Sequence, residues 1–467
     1  MNTSTETVPL EQNKKADITV YIYNVVEDEW SFINAINDAK ERQEYIDSGN
    51  NAADAYYLPT AGEDNFLYIS PLPISPSFTE YASGLLGDKN NKVLVPQKDT
   101  NLICTVLIND TQTLNQFISI ANAYRRIVLI SYAATPQLYE LRDVLQKKGL
   151  QVYMPEAPEI ENSWTVNFFG SKSGIRQLAQ KSVAQEPDFI MSDGVICVGI
   201  NDAAKIAANK YIKEKGVVIK TNKGSSGDGV LIFREGELPA TYFECEKEIR
   251  KYLSKDSYWE KFPIIIEGLI NINYAVGNGN PNVEFKIMKN GNIDLLYYCV
   301  CAVTPKGAYQ GIDIGEDLMN ERILARIIDT GFYIAEKYSS AGYRGHFDVD
   351  MLAAKNNQIY VCETNTRNTG GTDIYKLAVK LFGEDFIEDI YLIHRSHLKL
   401  NTQQQTTLEK IRENLKSVEF NVNTKEGVII NSELRLRNRE LVYTIYGKTK
   451  KRAYEIEEQM KQLLVKL

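Results

Sequence analysis

A pair of extended segments in the C-terminal half constrains the fold of this chain more than any other sequence feature. Residues 342–373 read GYRGHFDVDMLAAKNNQIYVCETNTRNTGGTD, in which two strand-like runs flank a short polar stretch. Asn tolerates the positive φ angles of a two-residue hairpin loop, so Asn356 and Asn357 are predicted to form the turn. Lys355 then pairs with Gln358, and this turn fixes the register of both strands.

Counting outward from the turn brings four oxygen-bearing side chains onto one patch. Asp350 falls opposite Glu363, and Asp348 falls opposite Asn365. Residues that face each other, or that lie two apart on a strand, share one side of a sheet. Carboxylates in one place repel each other unless a cation compensates for their charge. Because all of the donors are oxygens, the pattern predicts a Mg²⁺ or Mn²⁺ site rather than a zinc site.

Other polar residues extend this patch. His346 and Arg367 lie further along it, and a glycine turn follows at 370–372. The alternative explanation is a solvated sheet face studded with acidic residues. Such a face does not account for Asn365, Arg367 and the glycine turn occurring together, so a metal site is the favoured interpretation.

A turn rich in glycine and serine, TNKGSSGDG, connects the runs VVIK (217–220) and VLIF (230–233). Its backbone N–H groups can approach phosphate oxygens, and Lys220 at the end of the first run can reach them too. The turn joins two strands, whereas a P-loop or a dinucleotide fingerprint opens a helix. A polar hairpin tip without a ligand is the alternative. The turn residues predicted to contact phosphate are Gly224, Ser225, Ser226 and Gly227.

Two further stretches carry weaker signals of a nucleotide site. Lys172 begins a predicted helix after FFGS, where its positive charge opposes the helix dipole unless an anion lies nearby. The run PIIIEGLI ends an apolar strand at Glu267, and the passage through Gly268 and Leu269 can offer backbone groups to an adenine edge. A buried strand that leaves a sheet explains the second pattern equally well.

The N-terminal third has the pattern of a parallel α/β domain. Residues 125–156 (RRIVLISYAATPQLYELRDVLQKKGLQVYMPE) predict a strand, a helix and a strand, which is typical of parallel α/β structure. Two more β-branched runs, 17–25 and 101–108, have the composition of strands. We therefore predict an α/β domain over 17–165, preceded by a short disordered lead-in at 1–16.

The remainder is predicted to form an α+β region at 166–400 and a small α/β cap at 401–467. Alternating helix and strand patterns predict a lid subdomain at about 200–265. An Asn-Gly turn within 289–292 predicts a hairpin, and the apolar stripe near 316–340 predicts a long helix.

Composition argues against several functional classes. A net charge of −8 argues against nucleic acid as a partner, because binding phosphate backbones requires a concentrated basic face. No apolar run approaches the roughly 20 residues that span a bilayer, and the N-terminus lacks the apolar core of a signal peptide. The six cysteines are interpreted as buried small residues in a reducing cytoplasm. Nothing in the sequence indicates an oligomeric state.

Six features, taken in chain order, resemble the ATP-grasp superfamily: GSK at 170–172, VVIK at 217–220, the glycine-rich hairpin turn at 222–229, IIIEGLI at 264–270, GHFDVD at 345–350 and ETNTRNTGG at 363–371. The resemblance covers about residues 170–390, and the acidic hairpin is its most specific part. The preceding α/β domain, the run ETNTRNTGGTD and the C-terminal extension are similar to the subgroup with a pre-ATP-grasp domain, which includes pheganomycin-type peptide ligases.

The resemblance implies an N-terminal pre-ATP-grasp α/β domain, α+β ATP-grasp domains that hold ATP, and a C-terminal α/β cap. It also implies individual roles. Lys172 and Lys220 contact phosphates, whereas Glu267 and Leu269 contact the adenine. The implied Mg²⁺ ligands are Asp348, Glu363 and Asn365.

The resemblance leaves the catalytic cation open. Family members usually carry an arginine a couple of residues before the first metal-binding acid, and that position is His346 here. Arg344 lies two residues earlier, and Arg367 follows the second strand. The anion-stabilising role could fall to Arg344, His346 or Arg367.

The resulting expectation is an ATP-dependent carboxylate–amine ligase that uses Mg²⁺, or Mn²⁺ in its place. It forms an amide or peptide bond through an acyl phosphate, with an amino acid or peptide as one substrate, in specialised-metabolite biosynthesis. One alternative is an ATP-grasp phosphotransferase that acts on a non-carboxylate acceptor. The other is a catalytically inactive, nucleotide-binding regulatory protein.

Overall fold

The computed structural model describes most of the chain. The described ranges are 16–87, 89, 91–97, 101–224, 227–401 and 406–465. The predicted lead-in, apart from Ala16, lies outside the described residues, and so do Ser225 and Ser226 of the glycine-rich turn.

A parallel sheet organises the N-terminal part of the chain. Alternate residues of its central strand pack into two different cores, with Val20 and Ile22 on one side and Tyr21 and Tyr23 on the other. A strand buried on both faces is typical of parallel α/β structure. The order is β3-β2-β1-β4-β5, with strands β1 (Ile18–Ile22), β2 (Phe66–Ile69), β3 (Lys92–Leu94), β4 (Ile127–Ser131) and β5 (Val152–Tyr153).

Within the described residues, seven α-helices belong to this N-terminal part, and one of them corrects a prediction. The helices are α1 (Val25–Ile33), α2 (Ala39–Asn50), α3 (Ala53–Tyr57), α4 (Pro76–Leu86), α5 (Ile103–Asn109), α6 (Thr111–Ala121) and α7 (Pro136–Lys147). The strand-like composition of 101–108 was misleading, because this run forms α5. Ile103, Cys104 and Leu107 are buried on one helical face, and the Glu27 carboxylate accepts a hydrogen bond from the Cys104 N–H at 2.9 Å.

A second, antiparallel sheet occupies the stretch in which the lid subdomain is predicted. Its order is β6-β9-β7-β8, with strands β6 (Gly194–Cys197), β7 (Gly216–Thr221), β8 (Val230–Arg234) and β9 (Ile264–Glu267). Val217, Ile219 and Ile266 pack with Ala203 and Ala207 of a helix in one core. The helices before and within this region are α8 (Trp164–Phe169), α9 (Lys172–Ser182), α10 (Ile200–Glu214), α11 (Tyr242–Leu253) and α12 (Tyr258–Lys261).

The largest sheet has eight strands in the order β14-β13-β10-β11-β12-β15-β17-β16. They are β10 (Pro281–Ile287), β11 (Ile293–Val303), β12 (Tyr309–Ile314), β13 (Gly345–Ala353), β14 (Ile359–Asn365), β15 (Tyr391–Lys399), β16 (Gly427–Ser432) and β17 (Glu440–Gly447). The hairpin predicted at 289–292 joins β10 and β11. The two strands of the C-terminal segment extend this sheet beyond β15.

Four helices accompany the large sheet: α13 (Glu321–Ser340), α14 (Thr372–Phe382), α15 (Leu408–Leu415) and α16 (Lys450–Leu464). The predicted long helix is α13. It packs closely against β10 at Gly331. A Cβ added to this glycine would lie only 2.5 Å from the Phe285 ring. Among the described helices, none combines the length and the apolar character that crossing a membrane requires.

The turn between β13 and β14 differs from the prediction of a two-residue loop. The Ala354 N–H donates to the Gln358 carbonyl at 2.9 Å, so three residues, 355–357, form the loop. Asn357 adopts a φ of 63°, which supplies the left-handed conformation that such a loop requires. The predicted pairing of Lys355 with Gln358 is therefore wrong by one residue.

A β-bulge restores the predicted pairing at the outer end of this hairpin. The register shifts after Asp350, and Cys362 is the extra residue in β14. The longer loop and the bulge displace the register in opposite directions. Asp350 consequently pairs with Glu363, and Asp348 pairs with Asn365, as predicted.

Substitution of Gly311 tests how closely β12 and β15 approach each other. Its φ is +140°, and an added Cβ would lie 2.0 Å from the His394 carbonyl oxygen. Gly311→Ala is expected to destabilise the protein by roughly 3 kcal/mol or more, because both strands must shift. The control is Gly236→Ala, which has φ +87° but no atom within 4 Å of the new Cβ and should cost about 1 kcal/mol. Thermal unfolding followed by circular dichroism measures both variants, and equal shifts would contradict the crowding.

Candidate active site

A cavity of about 1540 Å³ is lined by residues of the N-terminal part and of both antiparallel sheets. Tyr132 comes from the N-terminal part and Lys220 from the four-stranded sheet, while Asp348 lies on a face of the eight-stranded sheet. The structure brings together here most of the residues singled out from the sequence: Lys172, Lys220, Gly224, Gly227, Glu267, Gly268, Leu269, Asp348, Glu363, Asn365 and Arg367.

Two asparagine amides hold the carboxylates of Asp348 and Asp350 together. Asn365 Nδ2 donates to both carboxylates, at 2.9 and 3.2 Å, and Asn282 Nδ2 also donates to both, at 3.1 and 2.8 Å. Burial, followed by the neighbouring negative charges, raises the pKa of Asp348 well above its usual value and that of Asp350 to about 6. Their negative charge is thus incompletely compensated, which is the condition that favours a bound cation.

Glu363 completes an acid cluster (Asp348, Asp350 and Glu363), and it is paired with a lysine. Its Oε2 lies 2.8 Å from Lys172 Nζ at the start of α9. Burial opposes ionisation, but the charges of Lys172 and Lys220 hold the pKa of Glu363 at about 2. The carboxylate supplies the anion that a lysine in this position of a helix requires.

Lys220 lies in a buried ion network at the end of β7. Its Nζ is 2.8 Å from Glu267 Oε2 and 3.4 Å from Cys362 Sγ. Arg176 pairs with the other oxygen of Glu267. Burial disfavours the charged amine, yet the negative charges of Glu267 and Glu363 raise the pKa of Lys220 above its usual value.

Arg367 connects the acid cluster to the N-terminal part. Its guanidinium donates to Asn365 Oδ1 at 3.3 Å and to the Tyr132 hydroxyl at 2.9 Å. Its Nε lies 3.3 Å from Asp28 Oδ2 on α1. Contacts with three groups fix the orientation of this cation, which a charge placed for catalysis requires.

Sequence reasoning missed Glu284, which is fully buried on β10. Its carboxylate accepts hydrogen bonds from the hydroxyls of Tyr297, Thr369 and Thr372, at 2.6, 2.7 and 2.6 Å. The two threonines bracket Gly370 and Gly371, so Glu284 anchors the glycine turn. The polar alternation of PNVEFKI was the available signal, but nothing in it reveals that β10 pairs with β13.

The structure does not bring Arg344 and His346 to the cavity. The Arg344 guanidinium donates to the carbonyls of Lys289, Ser339 and Tyr343, at 3.2, 3.0 and 2.6 Å. His346 is 3% exposed, and its ring lies between the carboxylates of Glu284 and Glu156, at 3.2 and 3.6 Å. Of the three cations considered, Arg367 is the one that lines this cavity.

The segment after β9, Gly268 and Leu269, forms a wall of the cavity. The backbone polar groups of Gly268 are already hydrogen-bonded within the protein. The Gly268 N–H donates to the Asp193 carbonyl at 2.8 Å, and the Gly268 carbonyl accepts from the Ser192 hydroxyl at 2.7 Å. Leu269 packs on Gly216, where an added Cβ would lie 2.7 Å from its Cδ2. Leu269 therefore presents an apolar surface, while the Glu267 carboxylate is committed to Lys220 and Arg176.

The glycine-rich turn lies against the loop after β11. Gly227 has φ +93°, and an added Cβ would lie 2.7 Å from the Gly307 carbonyl oxygen. A Cβ added to Gly224 would lie 2.3 Å from the Asp228 carbonyl oxygen. Such close backbone approaches are the reason that glycine is required at both positions.

The donor chemistry fits a hard cation, although the side chains are not arranged around one. Within the described residues, no group of three His, Cys, Asp or Glu side chains has a geometry that could hold a metal ion. Glu363 faces Lys172, and Asn365 stands between the two aspartates as an amide. Oxygen donors and uncompensated negative charge still match Mg²⁺ or Mn²⁺ better than zinc. Coordination requires Glu363 to turn away from Lys172.

Comparison with solved structures shows the fold. Biotin carboxylase from Campylobacter jejuni, in a β-γ-ATP complex, is 13% identical with a TM-score of 0.56, covering 94% of this chain and 89% of that chain. N5-carboxyaminoimidazole synthetase from Staphylococcus aureus, with ADP, is 10% identical with a TM-score of 0.53. The match covers 97% of this chain and 98% of that chain. N5-carboxyaminoimidazole synthase from Aspergillus clavatus, with ADP and 5-aminoimidazole ribonucleotide, is 10% identical with a TM-score of 0.53. The match covers 97% of this chain and 100% of that chain.

These structural similarities extend over nearly the whole chain. No protein-family model matches the sequence, and a search of curated proteins gave no significant match. The structure confirms the predicted fold class: the chain has the ATP-grasp fold, with a parallel N-terminal domain followed by antiparallel sheets.

Glu284→Gln tests the anchor beneath the glycine turn. The new amide nitrogen cannot accept the hydroxyl hydrogen bonds that the carboxylate accepts, and a buried unpaired group typically costs about 1–3 kcal/mol. We expect the midpoint of thermal unfolding to fall by several degrees. Asp294→Asn, an exposed acid on the neighbouring strand β11, is the control and should change it little. An unchanged midpoint for Glu284→Gln would show that the turn does not depend on this carboxylate.

Proposed function

We propose that this protein is an ATP-dependent carboxylate–amine ligase. The observation that carries the proposal is the convergence of Lys172, Lys220 and Arg367 on the acid cluster, within one cavity of an ATP-grasp fold. The compared structures of this fold are biotin carboxylase and N5-carboxyaminoimidazole synthetases bound to ATP analogues or ADP, which supports a nucleotide in this cavity.

In this proposal, Lys172 and Lys220 bind the phosphates of ATP, which is supported by their position in the cavity beside the acid cluster. Asp348, Glu363 and Asn365 would hold the Mg²⁺, whose positive charge would stabilise the phosphate oxygens. Lys172 and Glu363 neutralise each other at 2.8 Å in this structure. On ligand binding, Lys172 would exchange Glu363 for a phosphate, and Glu363 would exchange Lys172 for the metal ion. Each would keep an oppositely charged partner, so no buried charge would be left unpaired.

The reaction proceeds in two displacement steps. A carboxylate oxygen of the acid attacks the γ-phosphorus, an O–P bond forms, and the bond to the ADP oxygen breaks. The amine nitrogen then attacks the carbonyl carbon, the C–O bond to phosphate breaks, and the amine proton passes to the departing phosphate. Arg367 and Gly370 line the cavity, and the guanidinium and the Gly370 N–H are the groups proposed to bind the oxyanion of the tetrahedral intermediate. The Gly371 N–H donates to the Thr369 hydroxyl at 3.2 Å.

The finer assignment follows from the motif resemblance. We propose a ligase of the pheganomycin-type, pre-ATP-grasp subgroup that joins an acid to an amino acid or peptide in specialised-metabolite biosynthesis. All six cysteines are free, which is consistent with the reducing cytoplasm as its compartment. The competing functions are phosphoryl transfer to a non-carboxylate acceptor and nucleotide binding without catalysis. The complete set of lysines and acids supports catalysis over the second of these.

Mass spectrometry with hydroxylamine tests the reaction. The protein is incubated with Mg²⁺–ATP, hydroxylamine and a pool of amino acids, peptides and small organic acids. A new acyl hydroxamate together with ADP is expected, because hydroxylamine captures an acyl phosphate. A phosphorylated acceptor would instead support the phosphotransferase, and nucleotide binding with no turnover for any acceptor would support the inactive regulator.

Glu363→Gln tests the acid cluster. The substitution keeps the shape of the side chain but removes the charge that pairs with Lys172 and that would bind the metal. We expect turnover to fall by roughly 10²–10³-fold or more, comparable to the loss of a principal electrostatic contact. The exposed Glu384→Gln is the control and should retain the wild-type rate of hydroxamate formation. Wild-type activity in Glu363→Gln would exclude this scheme.

Arg367→Gln and Arg344→Gln decide which cation assists the reaction. Arg367 lines the cavity, so its loss is expected to lower kcat by about 10²–10³-fold. Arg344 binds backbone carbonyls away from the cavity, so its variant should lose stability while the folded enzyme keeps its kcat. Steady-state kinetics combined with thermal unfolding separates these effects, and the reverse pattern would assign the role to Arg344.

A further inference from the structure

The cavity continues past the acid cluster to a second group of polar side chains. We call this end the distal arm, and its lining residues are Ser48, Ser396, His397, Lys399, Arg435 and Glu440. Three strands, β10, β11 and β12, separate β13 from β15 in the sheet. With a strand spacing of about 4.8 Å, β13 and β15 are about 19 Å apart across the sheet.

The distal arm has an excess of positive charge. Glu440 accepts a hydrogen bond from Lys399 Nζ at 2.6 Å, and Arg435 Nη1 lies 3.4 Å from its other oxygen. His397 Nδ1 is 3.7 Å from Glu440, and Arg435 also donates to the Ser48 hydroxyl at 2.9 Å. One carboxylate thus faces two permanent cations, so the net charge is positive even when His397 is neutral.

A bulge in β15 adds an unsatisfied donor to this group. The pairing with β17 shifts between Arg395 and Leu398, and the adjacent residues Ser396 and His397 both line the cavity. The Ser396 hydroxyl is buried and has no hydrogen-bond partner among the described residues. Buried polar groups are nearly always paired, so this hydroxyl is free to donate to a water, an ion or a ligand atom at the distal arm.

The stretch between the two polar ends has aromatic walls. Tyr23 and Tyr56 of the N-terminal part face the cavity, as does Tyr309 of β12. The Tyr309 hydroxyl is also buried without a partner among the described residues. Aromatic faces with a few polar groups suit an elongated organic molecule rather than a small ion.

We propose that the distal arm is an anion-binding subsite, and that it holds a carboxylate or phosphate at the end of a substrate remote from its reacting group. The Arg435 guanidinium and the Lys399 ammonium pair with the anion, and the Ser396 hydroxyl donates to it. A peptide with a free carboxylate and a phosphorylated small molecule both have this chemistry. The position of the reacting end rests on the proposed function, whereas the anion site stands on the contacts of the distal arm.

Calorimetric titration of two probe anions tests the subsite. Inorganic phosphate and succinate are titrated separately into protein saturated with Mg²⁺ and a non-hydrolysable ATP analogue, which occupies the lysines near the acid cluster. We expect binding by the wild type and a Kd about tenfold higher in Arg435→Gln, since a charged hydrogen bond is lost. Tighter binding of phosphate would indicate a phosphorylated substrate, and tighter binding of succinate a carboxylate.

Three further variants control for folding. Arg437→Gln removes an exposed arginine from the same short helix and should leave the Kd unchanged. Ser396→Ala should raise the Kd about threefold without lowering the midpoint of thermal unfolding, because no protein hydrogen bond is lost. Arg435→Lys should restore part of the affinity. Recovery by Lys would attribute the loss to charge rather than to misfolding.

Two results would overturn the subsite: the same Kd in wild type and Arg435→Gln, or no binding of either anion. Failure of the proposed function is distinguishable from both. If the ATP analogue does not bind, the ligase proposal fails, and the anions are titrated without it into wild type, Arg435→Gln and Lys220→Gln. A loss of affinity in Arg435→Gln alone would still support the subsite, and a loss in Lys220→Gln alone would place the anion at the other end.

Discussion

Compensation of buried negative charge is the requirement on which the rest of this structure depends. Removing carboxylates from water is costly unless cations and hydrogen-bond donors surround them, and leaving one partner unpaired costs several kcal/mol. The acid cluster meets this requirement only in part, with Lys172 from α9, Lys220 from β7 and Arg367 from the loop after β14. Because these cations belong to different elements, the cluster is compensated only when the elements are assembled.

Neutral hydrogen bonds and one ion pair hold the N-terminal part against the large sheet. Asn368 donates to the carbonyls of Ser131 and Tyr132 at 3.1 and 3.0 Å, and Arg367 reaches Asp28. Ser131 ends β4, Tyr132 follows it, and Asp28 lies in the helix after β1. From these two neighbouring strands the chain departs in opposite directions across the parallel sheet. Ligands of open α/β sheets bind at such a switch point, outside the carboxyl ends of the strands. The cavity thus lies where topology and charge compensation coincide.

Local pattern predicted the structure well wherever the determining contacts were local. Strand alternation and an Asn-rich turn predicted the pairing of Asp348 with Asn365. This pairing was correct because the longer turn and the bulge at Cys362, neither of which was predicted, shift the register in opposite directions. Composition alone misled at 101–108, where the spacing of buried residues is helical. Glu284 and the position of His346 escaped prediction for a different reason. Both depend on which strands become neighbours, and pairings between β10 and β13 join segments about 60 residues apart, which one sequence does not reveal.

Two of the bulges in the large sheet, those in β14 and β15, give the cavity its polar ends. In a regular strand, adjacent side chains point to opposite faces, so a strand offers only every second residue to a cavity. At each bulge two consecutive residues line the cavity instead: Cys362 with Glu363, and Ser396 with His397. The first pair lies beside Lys220 and Lys172, and the second lies beside Arg435. The sheet therefore presents two separate groups of charge on one face, and the apolar and aromatic residues between them determine the length of the molecule that can contact both.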